Sequence, residues 1–220
     1  MSRREEAKSA RRDRILAAAH DLLREVDAET VTMKAIAARA GLSAATVYNL
    51  FGSKTVILSQ VFDRDLSGFE ALVDAAEASD SLGRIFASIA VAARLYRDDP
   101  NFYRLTMVAR GGVGQGFRFD SAVREPRMRF WRRLVEAALR DGALRPDTDS
   151  AVVSVLLVQI ASGALMDWAS DAISVDQLES EMSFGFAAVL TSFATKAAET
   201  RLRRRMTALE QAIGAHLRAA

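Results

Sequence analysis

Residues 41–54 read GLSAATVYNLFGSK, and this stretch decides how the amino-terminal part of the chain folds. Gly41 suits a reversal of the chain, because glycine tolerates the left-handed backbone that ends a helix. Ser43 is a good helix N-cap, and Leu42 before it is placed to pack on Val47 inside the new helix. The stretch therefore predicts a sharp turn followed by a short helix, AATVYNLF.

The segment just before this turn, TMKAIAARA, repeats the same design. Thr32 suits the N-cap position, and Val31 before it is spaced to pack on Ile36. Ala37 and Ala40 keep this helix slim where the next one crosses it. Two short helices joined by a tight glycine turn make a helix-turn-helix arrangement.

The second helix of this pair is predicted to turn its small and polar residues away from the first. These residues are Ala44, Ala45, Thr46, Tyr48 and Asn49. A helix that enters a DNA major groove needs small residues at its tip for close approach. It also needs hydroxyls and cations for phosphates and an amide for a base edge. The pattern therefore indicates a DNA-reading helix, and the alternative is a helix-turn-helix that is only a structural corner.

Charge and composition support this reading only weakly. The net charge is +2, but the first 54 residues hold ten Lys and Arg against seven Asp and Glu, and the other 166 hold 20 against 21. The chain has no cysteine, so it has neither disulfides nor thiolate metal sites, which fits a reducing compartment. The first residues, MSRREEAKSARRDR, lack the apolar run of a signal peptide. We expect a soluble, cytoplasmic protein.

The rest of the chain carries a helical pattern nearly everywhere and no alternating strand pattern. We predict an all-α protein of nine or ten helices, with a DNA-binding domain over residues 1–53 and a larger helical domain over 54–220. A long uncharged run, residues 151–166, is short for a membrane span and contains serines and a glutamine. It therefore predicts a buried helix and no membrane partner.

The block from Thr32 to Leu58 closely resembles the DNA-binding domain of the TetR family of transcriptional regulators. The matching residues, in family order, are Thr32, Ile36-Ala37, Ala40-Gly41, Ser43, Thr46-Val47-Tyr48, Phe51 and Ser53-Lys54. The specific resemblance covers about residues 10–60, and beyond them only the order and length of the helices match. Leu50 departs from the family pattern, so it is expected to touch a thymine methyl group or only to pack.

The resemblance implies which residues meet the DNA. Together with the cap Ser43, the expected set divides into phosphate contacts at Thr46, Tyr48 and Lys54, and groove contacts at Lys34, Ala44, Ala45 and Asn49. Asparagine can pair with adenine through two hydrogen bonds. A basic arm before the first helix is expected either to hold the DNA backbone or to enter a minor groove, or else to be a solvated, disordered end. Its cations are Arg3, Arg4, Lys8, Arg11 and Arg12.

The larger domain carries aromatic and methionine residues at helical spacing, which makes most of them core residues. The family resemblance adds that such cores often enclose an apolar ligand cavity. The candidate ligand-binding residues are Phe69, Phe86, Met107, Phe130, Gln159 and Met166. Gln159, alone in an apolar run, is either a polar group of the ligand site or a hydrogen-bonded interface residue.

The predicted function is a TetR-like repressor that a small apolar ligand releases from a palindromic DNA site. It would act as a homodimer through helices at about 150–170 and 175–195, where small side chains permit close helix approach. Those side chains are Ala161, Gly163, Ala164, Gly185, Ala187 and Ala188. The alternative is a helical small-molecule sensor or carrier with a vestigial DNA-binding head. We expect no cofactor, no metal site and no enzyme activity, because the two histidines, His20 and His216, are isolated from any ligand or triad pattern.

The last 25 residues are basic, but an apolar stripe argues against a DNA-binding tail. Leu202, Met206, Leu209, Ile213 and Leu217 recur at helical spacing. We therefore predict a terminal helix that docks on its own domain or on a partner subunit.

Overall fold

The computed structural model describes residues 2–26, 30–111 and 121–219, without the side chains of 106–111, 121–126 and 215–219. These ranges contain ten helices and no β-strand, which confirms the predicted all-α class. The helices are α1 (Arg3–Glu25), α2 (Met33–Arg39), α3 (Ala44–Phe51), α4 (Lys54–Ala75), α5 (Ser81–Asp98), α6 (Pro100–Gly111), α7 (Ser121–Arg140), α8 (Ser150–Ala169), α9 (Val175–Thr191) and α10 (Lys196–Ala219).

The chain divides into two compact units. The first unit comprises residues 1–68 and 99–118, and the second comprises 69–98 and 119–220. The division therefore falls within α4, next to Gly68. The domain boundary predicted after residue 53 coincides with the start of α4. That this point separates a DNA-binding domain from a ligand-binding domain stays a prediction.

The core of the first unit is formed where α1 meets the helix pair α2 and α3. Ile15, Ala19 and Leu23 project from α1 at helical spacing, and all three are buried. Ile36 of α2 and Val47 of α3 are fully buried as well. One side of α3 is therefore buried in the core of the first unit, and the candidate site lies on its exposed side.

The ends of α2 and α3 form as the sequence predicts. The side chain of Thr32 accepts a hydrogen bond from the amide of Ala35 at 3.1 Å, and Ser43 accepts one from the amide of Thr46 at 3.2 Å. Gly41 between the helices has φ of +63°, in the left-handed region that favours glycine. The turn is therefore fixed by local hydrogen bonds and one backbone requirement.

The second unit is built around α8, whose inner side chains pack against α7 and α9. Trp168, Leu157 and Val153 of α8 are buried, as is Phe186 of α9. By length and composition alone, α8 is also long and apolar enough to cross a membrane. A core helix gives the same signal, and α8 buries nine of its side chains within the structure.

The carboxy-terminal helix α10 is present and packs along α9 of its own unit, as predicted. Leu202 at the head of the apolar stripe is buried, and Met206, Leu209 and Ile213 are partly buried. Two arginines of α10 contact its own unit, since Arg201 pairs with Asp80 at 2.5 Å and the guanidinium of Arg205 lies 4.0 Å from the ring centre of Phe86. The predicted residue Leu217 lies outside the described side chains.

Candidate DNA-binding surface

Helix α3 separates its residues into a buried side and a free side. Val47 and Phe51 face the core and are 0% and 6% exposed. Tyr48 is 53% exposed, which is unusual for a large aromatic side chain, and Asn49 beside it is exposed too. An aromatic ring and an amide held on the open side of a firmly anchored helix form a surface suited to a partner.

All eight residues predicted to meet DNA are exposed or partly exposed. Lys34, Ser43, Ala45, Tyr48 and Asn49 are exposed, and Ala44, Thr46 and Lys54 are partly exposed. They come from three successive segments, α2, the turn with α3, and the start of α4, within the first unit. Their access to a partner is consistent with the predicted role, and contact with DNA itself stays a prediction.

The two hydroxyls at the start of α3 already bond one another. The Oγ of Ser43 and the Oγ1 of Thr46 are 2.8 Å apart, and the same Ser43 oxygen caps the helix. A hydroxyl has one donor and two acceptor sites, so a phosphate oxygen can still accept from one of this pair. The amino-terminal end of a helix adds a favourable field for such an anion.

The cations around α3 differ in how far they are already engaged. Arg39 of α2 forms two hydrogen bonds with the carboxylate of Glu25, at 2.9 and 2.5 Å. This pairing lowers the pKa of Glu25 and raises the pKa of Arg39, in each case chiefly through the side-chain hydrogen bond. Among the described side chains, no carboxylate forms an ion pair with Lys34 or Lys54. Both lysines are therefore available to DNA, Lys54 for the predicted phosphate contact and Lys34 for the predicted groove contact.

The predicted basic arm is wrong in its structure. Residues from Arg3 onward belong to α1, which Ser2 caps through the amide of Glu5. Arg12 is directed into the first unit, where it donates to the backbone carbonyl of Leu50 at 2.6 Å. Helix formers such as Glu5 and Ala7 and an N-terminal serine cap extend the helix beyond its apolar stripe.

The sequence nevertheless contained a signal for the position of Arg12. Arg12, Leu16, Ala19 and Leu23 are spaced by 4, 3 and 4 residues and lie on one side of α1. The last three are buried. An arginine on the buried side of a helix is expected to find acceptors inside the fold, which DNA-contact reasoning overlooked.

The predicted ligand residues of the second unit fall into different surroundings. Phe69 and Phe130 are brought together, with ring centres 5.1 Å apart. Phe86 is buried beneath Arg205 of α10, and Met166 is partly buried. The side chain of Met107 lies outside the described residues. The ligand site stays a prediction, and among the described side chains of this set Phe69 and Phe130 are the pair seen in contact.

Gln159 does not lie in the core. It is on the exposed side of α8, in line with Val152, which is 50% exposed. The two readings of this glutamine were a polar group of the ligand site and an interface residue. Its exposed position is the one expected of an interface residue.

Comparison with known proteins places these features in a family. Residues 15–61 match the sequence model of the bacterial regulatory proteins of the tetR family. The match runs from the first buried residue of α1, through α2 and α3, into α4. A stretch of 104 residues is 35% identical to an uncharacterized HTH-type transcriptional regulator of Mycobacterium tuberculosis, covering 46% of this chain and 52% of the relative. The chain thus spans about half the length of the curated relatives it matches.

Solved structures extend the likeness to most of the chain. A TetR transcriptional regulator from Rhodococcus sp. RHA1 superposes with a TM-score of 0.66 at 22% identity, over 84% of this chain and 97% of that one. Thermus thermophilus FadR, a TetR family transcriptional repressor in complex with lauroyl-CoA, gives a TM-score of 0.67 at 19% identity, over 84% and 96%. At these identities the likeness concerns the fold.

The protein is therefore an all-α protein with an amino-terminal helix-turn-helix domain and a larger helical domain. More narrowly, its amino-terminal domain is that of the TetR family, and the resemblance drawn from its sequence is confirmed.

Proposed function

We propose that this protein is a TetR-like transcriptional regulator that binds double-stranded DNA through α3. The carrying observation is the two-sided construction of α3, with Val47 and Phe51 buried and Tyr48 and Asn49 exposed. A head that had lost its partner would have no reason to keep a large aromatic side chain exposed beside small residues and an amide. This consideration favours DNA binding over the sensor or carrier with a vestigial head.

The residues of this surface divide into two roles. Tyr48, Thr46 and Lys54 contact phosphates and hold the helix in register, which adds affinity for any DNA. Asn49 reads a base edge in the major groove, with small Ala44 and Ala45 beside it allowing close approach. Sequence preference then comes from Asn49 and from Lys34.

The protein acts as a homodimer that places two copies of α3 on a palindromic site. Support comes from the exposed side of α8, where Val152, Leu156, Gln159 and Gly163 are spaced by 4, 3 and 4 residues. Val152 is 50% exposed, and a methyl group added at Gly163 would meet no atom within 4 Å. Together with α9, this side of α8 would form a four-helix interface with a second copy.

The small residues expected at that interface serve two different purposes. Ala161, Ala164 and Ala187 are buried within the chain, and Gly185 lies against Ile160 of its own α8. They allow α8 and α9 to approach each other inside one subunit. Gly163 is exposed and Ala188 partly exposed, so these two remain available to a partner helix.

The proposed effector is a small, predominantly apolar molecule bound in the second unit, and its binding releases the DNA. The unit is rich in buried aromatic side chains, and apolar pockets with few polar groups suit such ligands. The FadR structure of similar fold holds lauroyl-CoA, which makes a long acyl chain a reasonable first test compound. The proposed location is the cytoplasm, and no enzyme activity is proposed, since the relatives are transcriptional regulators.

Selection of fragments from a random duplex library, followed by sequencing, tests the DNA-binding proposal. The expected result is one enriched inverted repeat with half-sites about one helical turn apart. Failure to enrich any motif, with the protein folded and dimeric, would favour the sensor or carrier.

Sedimentation at micromolar concentration tests the dimer. Val152→Glu is expected to give monomers, because it puts a charge in the proposed interface. Leu72→Glu is the matched control, since Leu72 is 38% exposed but belongs to α4, outside the proposed α8 and α9 interface, and its variant should remain dimeric. A wild-type monomer, or a dimer that survives Val152→Glu, would contradict the proposed interface.

A further inference from the structure

Arg12 of α1 connects three helices of the first unit through one guanidinium group. It donates to the carbonyl of Leu50 in α3 at 2.6 Å and to the side-chain oxygen of Gln60 in α4 at 3.0 Å. The guanidinium carbon also lies 4.2 Å from the ring centre of Phe51. Leu50 and Phe51 are the last two residues of α3, so Arg12 holds the carboxy-terminal end of this helix.

Arg14, two residues further along α1, does the same for the preceding helix. It donates to the carbonyl of Ala40, the C-cap of α2, at 2.5 Å. A side chain at Gly41 would place its first carbon 3.1 Å from the guanidinium nitrogen of Arg14. Glycine at this turn therefore serves both the left-handed backbone and the approach of Arg14.

The chemistry of these two contacts suits a fixed geometry. The last carbonyls of a helix lack partners within the helix and carry partial negative charge, so a cation is favourable there. Arginine presents its donors in a rigid planar fork and stacks on aromatic rings. The guanidinium of Arg12 bonds α3 and α4 and stacks on the ring of Phe51, which restricts how these helices pack against α1.

We propose that Arg12 and Arg14, here called the arginine clamp, are positioning residues that fix α2 and α3 against α1 and tie the end of α3 to α4. This inference rests on the proposed DNA-reading function of α3.

Arg12 would otherwise be a contact for DNA phosphates, as the sequence suggests for this basic segment. The two roles differ in what they require of the side chain. A phosphate contact acts through charge, so Arg12→Lys should preserve much of that contact. Removing the contact in Arg12→Ala would weaken binding to every duplex and lower the log–log slope of affinity against salt by about 0.9. The clamp requires the arginine fork, so lysine should not replace it.

The test uses full-length Arg12→Ala, Arg12→Lys and Gln60→Ala, with Arg11→Ala as the matched control. Arg11 is exposed and, within the described part of the chain, donates to the carbonyl of Ala7 in its own helix. Affinities are measured for the duplex selected by the wild-type protein and for a shuffled duplex, over a range of salt. Hydrogen–deuterium exchange of the peptide spanning residues 48–54 is measured without DNA.

The clamp predicts that Arg12→Ala and Arg12→Lys each lose about tenfold or more in affinity for the selected duplex. Binding to the shuffled duplex and its salt slope should stay unchanged. Exchange in residues 48–54 should be faster in both variants, while Arg11→Ala behaves as wild type. Gln60→Ala should show a smaller change in the same direction.

Three results would overturn the clamp. One is equal loss on both duplexes with rescue by lysine, which indicates a phosphate contact. Another is unchanged exchange in residues 48–54 in Arg12→Ala. The third is a normal preference for the selected duplex in Arg12→Lys. If the wild-type protein selects no duplex, the proposed function fails, and the exchange measurement still decides whether Arg12 holds the end of α3.

Discussion

Replacement of Gly185 by alanine is expected to destabilise the second unit, although alanine is the better helix former. A methyl group at this position of α9 would lie 2.8 Å from Cγ2 and 3.4 Å from Cδ1 of Ile160 in α8. Isoleucine is branched at Cβ and has few rotamers in a helix, so its Cγ2 cannot easily turn away. The two helices would have to move apart.

The magnitude follows from two opposing effects. Overpacking of a well-packed contact costs about 1–3 kcal/mol. The change from glycine to alanine inside a helix contributes about 1 kcal/mol in the other direction. The net result is a loss of about 0–2 kcal/mol.

Gly68→Ala is the matched control for the first effect. Gly68 lies in α4, and a methyl group there would meet no atom within 4 Å. This variant should gain up to about 1 kcal/mol. The unfolding free energies of the two variants, measured in urea at one protein concentration, should therefore differ by about 1–3 kcal/mol.

A double-mutant cycle with Ile160→Ala identifies the cause, because alanine lacks the offending Cγ2. The combined variant should be less destabilised than the sum of the two single changes. Equal stabilisation by Gly185→Ala and Gly68→Ala would refute the close approach of α8 and α9 at this point.

Three further predictions concern the reading helix, the terminal helix and a charged cap. Tyr48→Phe and Lys54→Ala should weaken binding to selected and shuffled DNA alike, whereas Asn49→Ala should relax the preference at one base pair by about 1–3 kcal/mol. Affinities for single-base variants of the site measure both effects. A uniform loss of affinity in Asn49→Ala would show that Asn49 does not read a base. Deletion of residues 197–220 should lower the free energy of unfolding by about 2 kcal/mol or more, because it exposes the apolar side of α9. Calorimetry measures this change. Lost DNA affinity with unchanged stability would instead indicate a DNA-binding tail. Burial opposes ionisation of Asp80, but hydrogen bonds from the Gly83 amide and from Arg201 of α10 outweigh it and lower the pKa of Asp80 below its ordinary value. Asp80 therefore stabilises the fold at neutral pH and loses this contribution as the pH falls through its lowered pKa, so Asp80→Asn should flatten the acid limb of the stability profile; an unchanged acid limb would contradict the pairing.

The local features of the first unit could be predicted because they depend on residues close in sequence. The caps at Thr32 and Ser43 and the left-handed turn at Gly41 each involve at most a few neighbouring positions. Such signals survive in any tertiary context. The same holds for α10, whose apolar stripe predicted a docked helix.

Contacts between distant residues were not accessible in this way. Arg12 donates to a carbonyl 38 positions further along the chain, and although its place on the buried side of α1 favours an acceptor inside the fold, the sequence does not show which acceptor it is. Gly185 was expected to serve a partner subunit but lies against Ile160 of its own chain. Small residues predict that two helices pack closely, but they do not show whether the second helix belongs to the same chain or to a partner subunit.

The ligand residues illustrate a different limit. Helical spacing predicted burial, and Phe86 and Phe130 are indeed buried. Spacing carries no information on whether buried rings line a cavity or pack on one another. Phe69 and Phe130 pack together. Gln159 lies on the exposed side of α8, away from the buried side chains of that helix.

Sequence-specific DNA binding by α3 is tested most directly by comparing the affinity of the wild-type protein for its selected inverted repeat with that for a shuffled duplex of the same composition. Fluorescence anisotropy between about 50 and 200 mM salt provides both affinities and their salt slopes. We expect the repeat to be preferred by about a thousandfold or more, with steep loss of binding to both duplexes as the salt concentration increases. Equal affinity for the two duplexes at every salt concentration would contradict it.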